Sequence, residues 1–356
     1  MESKNVKQPS TVNLFTRLEQ VPGQVWMTLA MLSFAAGNVY DQAATQNINR
    51  PGALAAATIQ AIPIVIYALS IYLIVVRRRR SSAAHVETTE IKRYRGQGRR
   101  LFMLAGVFTQ IGTAAFFQAL IVSGFQGLNI TLPFVQTWEL LAIIMGVLFL
   151  KEKATRYIYA GMIIMVIGLA GVAIATHSQE NPFLSPDWWW AIPFGLSAAF
   201  CWASAAILAR AGMNRGVSAF GGLSLQYFAG AIGAFLLMCV LGDGKFQLLT
   251  FNEIGQQFNL SEQVWLYLLG GAIINGILAT GFLTFALRVA PAYKVLPINA
   301  VYPALAVLLG WLVLGDRNRP DLWAFLSLLV VAAGLIFTQV GPIILPARSR
   351  PGIARK

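Results

Sequence analysis

Ten runs of about 20 mostly apolar residues constrain this chain more than any other feature of its sequence. A run of that length crosses a bilayer as a helix, whereas barrel strands need only about 10 residues of alternating polarity. The chain is 12% charged, too little for the surface of a soluble domain, which carries about 25% charged residues. We therefore expect an all-α integral membrane protein with ten transmembrane helices. The predicted spans are 24–46, 53–76, 101–123, 127–150, 155–176, 188–211, 218–241, 264–287, 292–314 and 321–342.

Lysine and arginine are distributed very unequally between the two sides of this topology. With the N-terminus in the cytoplasm, 23 of the 27 fall on the cytoplasmic side, in a tail over 1–23, a basic loop over 77–100, a basic tail over 343–356 and shorter loops. Because cytoplasmic loops are enriched in these residues, both termini are expected in the cytoplasm. The run Arg77–Arg80 is expected to contact anionic lipid. The expected location is a bacterial inner membrane, with a plastid membrane as the alternative.

The second half of the sequence matches the first at an offset of about 164 residues. The matching pairs keep the same order along the chain: Gly106 with Gly270, Pro133 with Pro297, and Gly146 with Gly310. The two copies, 24–176 and 188–342, would each hold five spans, and an odd number places them in opposite orientations. Inverted repeats are typical of alternating-access transporters, whose substrate site lies near the bilayer midplane between the repeats. The alternative is an accidental match among apolar helices.

Glu139 is the most informative polar residue because it lies about halfway along the fourth span. A central carboxylate costs about 2.5–3.5 kcal/mol and normally faces a cavity or a partner. Asn129, Pro133, Gln136 and Glu139 fall within an arc of roughly 120° on one helix. They predict a cavity wall in which Glu139 is the coupling group, as a proton acceptor or a cation anchor. The alternative is a protonated carboxyl group hydrogen-bonded to a neighbouring helix.

Seven further polar side chains lie within other spans and complete the predicted substrate site: Gln60, Gln110, Gln118, Gln226, Asn275, Asn299 and Tyr302. Amides both donate and accept hydrogen bonds, which suits a neutral or zwitterionic metabolite. The alternative for each is an interhelical hydrogen bond worth about 0.6 kcal/mol. Asp41, close to the outer end of the first span, is expected to face water. Lys294 would either extend to the cytoplasmic interface or attract an anionic substrate.

Three stretches resemble the EamA family of the drug/metabolite transporter superfamily. They are ELLAIIMGVLFLKEKATRYIYAGMIIMVIGLAGVAI from Glu139, PALAVLLGWLVLGDRNRPDLWAFLSLLVVAAGLIF from Pro303, and ALRVAPAYKVLPINAVYPAL over 286–305. The likeness covers about 24–342. It implies a carrier built from two five-helix repeats, and a secondary transporter as the function.

The leading hypothesis is a secondary transporter, an exporter or exchanger, of a small polar metabolite such as an amino acid or amine. Glu139 is the candidate group for proton coupling. The alternatives are a scaffold that transports nothing and a sugar-phosphate or nucleotide-sugar exchanger, which should carry several basic residues in the bundle. An enzyme is not expected, because neither histidine lies in a span and no P-loop or zinc-protease motif occurs. No cofactor, metal or nucleic-acid partner is expected, and the oligomeric state is left open.

Overall fold

The computed structural model describes residues 21–47, 52–81, 89–151, 156–177, 185–241, 249–289, 298–299 and 301–344. Within these ranges the chain is 89% helical and contains no strand. Lys294, most of the tail predicted over 1–23 and nearly all of the tail over 343–356 lie outside the described residues.

The described helices follow one another in the following order along the chain. They are α1 (Gly23–Thr45), α2 (Ala53–Ser81), α3 (Thr89–Ser123), α4 (Gly127–Val135), α5 (Thr137–Leu150), α6 (Arg156–His177), α7 (Ala191–Asn214), α8 (Ala219–Leu241), α9 (Phe251–Gln257), α10 (Glu262–Gly271), α11 (Thr280–Val289), α12 (Tyr302–Leu314) and α13 (Leu322–Ile344). A π-helix, Ala272–Ala279, joins α10 to α11. Short 3₁₀ turns precede α7 and α13, at Trp188–Trp190 and Asp316–Asn318.

Six helical segments of the described chain are long and apolar enough to cross a membrane: Ala53–Ser70, Arg95–Ser123, Gly127–Phe149, Trp188–Asn214, Gly221–Leu241 and Glu262–Leu283. Three shorter apolar helices accompany them, at Tyr159–Val172, Tyr302–Leu314 and Leu322–Phe337. Helix α1 is long but less apolar, since it carries Asn38, Asp41 and Gln42, and all three of these side chains are buried. The protein is therefore a multi-pass membrane protein.

The basic stretch predicted as a loop over 77–100 is helical wherever the structure describes it. Residues 77–81 continue α2, and residues 89–100 begin α3. Arginine, lysine and glutamate are good helix formers, which favours continuation of the helices past the apolar regions.

Among the residues that the structure describes, the fourth and the eighth predicted spans depart from regular α-helix. The fourth is interrupted at Gln136, which separates α4 from α5, and Pro133 lies one turn earlier. A proline inside a helix lacks the N–H of an i to i−4 bond, which permits this break. The eighth contains the π-helix, a geometry often found at functional sites.

Helices of the first half pack mainly against helices of the second half. Helix α3 packs against α7 and α8, α6 against α13, and α1 against α12 and the segment from α10 to α11. The approach of α3 to α8 requires glycine, because a Cβ at Gly106 would meet the backbone of Gln226 and Gly230. A site between the halves therefore collects side chains that are distant in sequence.

Candidate functional site

A cavity of about 270 Å³ lies at the junction of the two halves. Helices α1, α2, α3, α5, α7 and α8, the π-helix and the region of α12 all contribute to its wall. The volume is close to the lower limit of small-molecule sites, about 300 Å³. Six of the ten side chains that we expected at a substrate site line it: Gln60, Gln110, Gln226, Asn275, Asn299 and Tyr302.

Asp41 lines this cavity as well, and the expectation that it faces water is wrong. Its side chain is only 1% exposed, and its carboxylate accepts hydrogen bonds from Gln60 Nε2 and from Asn275 Nδ2, the latter at 3.4 Å. Asn275 Nδ2 also donates to Asn38 Oδ1 at 3.1 Å. Asn38 and Asp41 share one face of α1, so their spacing of three residues was the signal in the sequence.

The π-helix brings Asn275 to Asp41. Gly37 allows this approach, since a Cβ there would lie 3.0 Å from the backbone nitrogen of Asn275. Side-chain hydroxyl groups donate hydrogen bonds to two carbonyl oxygens of the π-helix. Tyr227 Oη donates to Gly276 O at 3.2 Å, and Thr280 Oγ1 donates to Asn275 O at 3.4 Å. The irregular backbone is therefore held in place by its neighbours.

Glu139 lies behind the cavity wall. It is 3% exposed and does not line the cavity, and neither does Gln136. Gln136 Nε2 donates to Glu139 Oε1 at 3.1 Å, and Asn299 Nδ2 donates to the same oxygen at 3.2 Å. Because Asn299 does line the cavity, one hydrogen bond connects Glu139 to it.

The structure does not bring Asn129 or Gln118 to the cavity. Asn129 Nδ2 donates to Gln126 Oε1 and, at 3.4 Å, to the backbone oxygen of Asn318. Gln118 is half-buried on α3 outside the lining. The polar side chains of the fourth span therefore separate. Gln136 and Glu139 lie behind the cavity wall, whereas Asn129 bonds to the turn at Asn318.

Asn129 belongs to a set of amides that joins the end of α1 to two turns, which we name the end cluster: Gln42, Gln46, Gln126, Asn129 and Asn318. Gln42 Nε2 donates to Gly124 O at 2.9 Å. Gln46 Nε2 donates to Asn318 Oδ1 and to Phe125 O. Gln126 Nε2 donates to Arg317 O at 2.7 Å. These bonds connect α1 and the α3–α4 turn to the α12–α13 turn.

Aromatic rings form much of the remaining cavity wall, at Phe34, Phe116, Trp138, Trp202 and Tyr302. Trp202 is fixed by a hydrogen bond from Nε1 to Thr109 O at 3.2 Å. Ring faces attract cations. No lysine or arginine is among the described residues that line the cavity.

The described residues include no group of three or more histidine, cysteine, aspartate or glutamate side chains that could hold a metal ion. What the arrangement offers is a carboxylate, several amides and aromatic faces around a small polar space.

The fold and this cavity define a multi-pass helical membrane protein with a buried polar site between its halves. Residues 189–339 match the family model described as the EamA-like transporter family, which is a family of the drug/metabolite transporter superfamily. The resemblance seen in the sequence is confirmed there, and the match indicates a membrane transporter of this type.

One solved structure, titled "Crystal structure of protein", is similar with a TM-score of 0.54 and 14% sequence identity. The similarity covers 91% of this chain and 99% of that one, and at this identity it concerns the fold alone. No curated protein matches the chain.

Proposed function

We propose that the protein is a secondary transporter that works by alternating access. In this proposal its ten spans form two inverted five-helix repeats, with both termini in the cytoplasm of a bacterium. The packing of α1, α3 and α6 against helices of the second half supports this arrangement, because each repeat would then supply part of one central site. The basic run Arg77–Arg80 would lie at the anionic cytoplasmic surface.

The substrate proposed is a small metabolite that carries a cationic amino group, an amine or an amino acid. The buried carboxylate of Asp41 carries this proposal: it lines the cavity, and its hydrogen-bond partners in the described chain are amides rather than cations. A buried charge without a counter-charge is costly, and an ammonium group in the cavity would offset that cost. The aromatic wall would add cation–π attraction.

A sugar-phosphate or nucleotide-sugar exchanger is less well supported. Such a substrate carries negative charge, and Asp41 would repel it at close range. The described lining offers no basic side chain to compensate. A scaffold that transports nothing has no use for a cavity lined by a carboxylate and six amide side chains.

We propose that Glu139 is the coupling group. It does not line the cavity itself, but it accepts a hydrogen bond from Asn299, which does. When the cavity opens to one side, water that reaches Asn299 would also change the surroundings of this carboxylate. Exchange of a cation at Glu139, a proton in the simplest case, could then be linked to release of substrate. The direction of net transport, export or exchange, follows from the gradients.

The test is transport by the purified full-length protein in proteoliposomes. Radiolabelled amines, amino acids and sugar phosphates are compared, each with and without a pH gradient. Uptake or exchange of amines or amino acids, saturable and above that of protein-free vesicles, is the expected result. Transport of sugar phosphates in preference to amines, or of none of the three classes, would refute the proposal.

A further inference from the structure

Three buried oxygen atoms around Glu139 have no hydrogen-bond partner among the described residues. They are Glu139 Oε2, Gln136 Oε1 and Asn299 Oδ1. The residues that carry them are 3%, 0% and 1% exposed. Most buried polar atoms in proteins are paired, so three unpaired acceptors in one cluster need a physical explanation, and a bound ion is one.

The three oxygens belong to side chains that already contact one another. Both amide nitrogens donate to the same oxygen, Glu139 Oε1. An amide oxygen lies about 2.2 Å from its own nitrogen, so each unpaired oxygen is within roughly 5.5 Å of Glu139 Oε1. If either amide were rotated by 180°, its oxygen would face Glu139 Oε1, and two acceptors would repel each other. The carboxylate therefore holds each amide with its nitrogen toward Glu139 and its oxygen unpaired.

A proton alone satisfies this cluster poorly. A protonated Glu139 could donate from Oε2 to one amide oxygen, which would leave the other buried acceptor unpaired. A metal cation coordinates several oxygens at once, and carboxylate and amide oxygens suit hard cations. The cluster carries one negative charge, so a monovalent ion neutralises it, whereas a divalent ion would leave an excess charge in a buried site.

The helix break supports the same conclusion. Gln136 lies where α4 ends and α5 begins, and its N–H bonds to Leu132 O at 2.9 Å. In transporters, interrupted helices place carbonyl groups at the sites of coupling ions.

We propose that Glu139, Gln136 and Asn299 form a binding site for a monovalent metal cation, with Na⁺ as the first candidate, separate from the ammonium site at Asp41. The enclosure of Glu139 excludes an organic amine, and Asn299 connects the site to the cavity. The role of the ion in coupling rests on the proposed transport function, but its binding does not. An ion bound at Glu139 would hold Asn299 and so fix one part of the substrate cavity.

Binding is measured as thermal stabilisation of the full-length protein in nanodiscs. NaCl, KCl and LiCl each replace choline chloride at constant ionic strength. One of these cations is expected to raise Tm saturably by about 2–5 °C. Glu139→Gln should abolish the rise, whereas Asp41→Asn should keep it, because that residue belongs to the other site. Gln136→Met keeps the carboxylate but removes one oxygen, so the half-saturating concentration should increase roughly tenfold.

The proposal fails if no monovalent cation raises Tm above choline, or if Glu139→Gln keeps the full effect. It also fails if MgCl₂ acts at lower concentration than all three salts. Should Glu139→Gln not fold, an unchanged half-saturating concentration in Gln136→Met would overturn it. Amine transport is measured separately. If no amine or amino acid were transported, the proposed function would be refuted, but the ion-binding result would still stand.

Discussion

Asn299 donates a hydrogen bond to Glu139 across 160 positions of the chain, from Nδ2 to Oε1 at 3.2 Å. The amide lines the cavity, while the carboxylate lies behind it. Movement of the segment that carries Asn299 would therefore alter the surroundings of Glu139. The pair is a direct physical link between the proposed substrate site and the proposed coupling site.

Replacing Asp41 with asparagine should strongly weaken recognition of the ammonium group. Removing one charge of a buried pair costs about 2–5 kcal/mol, so kcat/KM for an amine should fall roughly 30-fold or more. Folding should survive, because the new amide has the shape of the carboxylate. Uptake kinetics in proteoliposomes provide the measurement. The matched control is Asp187→Asn, which removes an exposed carboxylate and should leave kcat/KM unchanged.

Replacing Glu139 with glutamine should separate binding from coupling. The variant keeps the side-chain shape but fixes the site as neutral. Amine exchange at equal concentrations on both sides should persist, while accumulation driven by an imposed Na⁺ or pH gradient should be lost. Both are measured in the same proteoliposomes. Gradient-driven accumulation at the wild-type rate would show that this carboxylate is a structural hydrogen-bonding group.

Replacing Gly106 with alanine should destabilise the contact between α3 and α8. The added Cβ would lie 2.9 Å from the backbone nitrogen of Gly230, and a backbone cannot move as a side chain does. Overpacking of this kind costs about 1–3 kcal/mol. A fall of several degrees in Tm is therefore expected in detergent. Gly233→Ala is the control on the same helix pair, because its Cβ would meet Val107 at 3.4 Å, an ordinary contact, and Tm should hardly change.

Single cysteines at His85 and Glu180 should be labelled from opposite sides of the membrane. The asymmetry of lysine and arginine predicts that position 85 is cytoplasmic and position 180 is on the other side. The native cysteines Cys201 and Cys239 are first replaced by serine. An impermeant thiol reagent is then applied to right-side-out and inside-out vesicles. Labelling of both positions from one side would contradict the proposed topology.

That Glu139 is buried among polar partners could be predicted from the sequence, because a carboxylate in the middle of an apolar run is costly wherever its partners lie. The amides at Gln60, Gln110 and Asn275 could be predicted in the same way, since each is polar at mid-span. Asp41 could not. Asp41 lies close to the end of the first span, which suggested contact with water. Only the packing of α2 and the π-helix over α1 buries its side chain.

The sequence by itself determined that the chain is helical and embedded in a membrane, because apolar length is a local property that the bilayer thickness selects. It also determined which residues are too polar to face lipid. Tertiary structure decided where those residues went: Asp41 to the cavity, Glu139 behind Asn299, and Asn129 to the end cluster. The reason is that a buried polar group pairs with whichever helix packs against its face, and the packing of α1, α5 and α12 depends on contacts between residues far apart in the sequence.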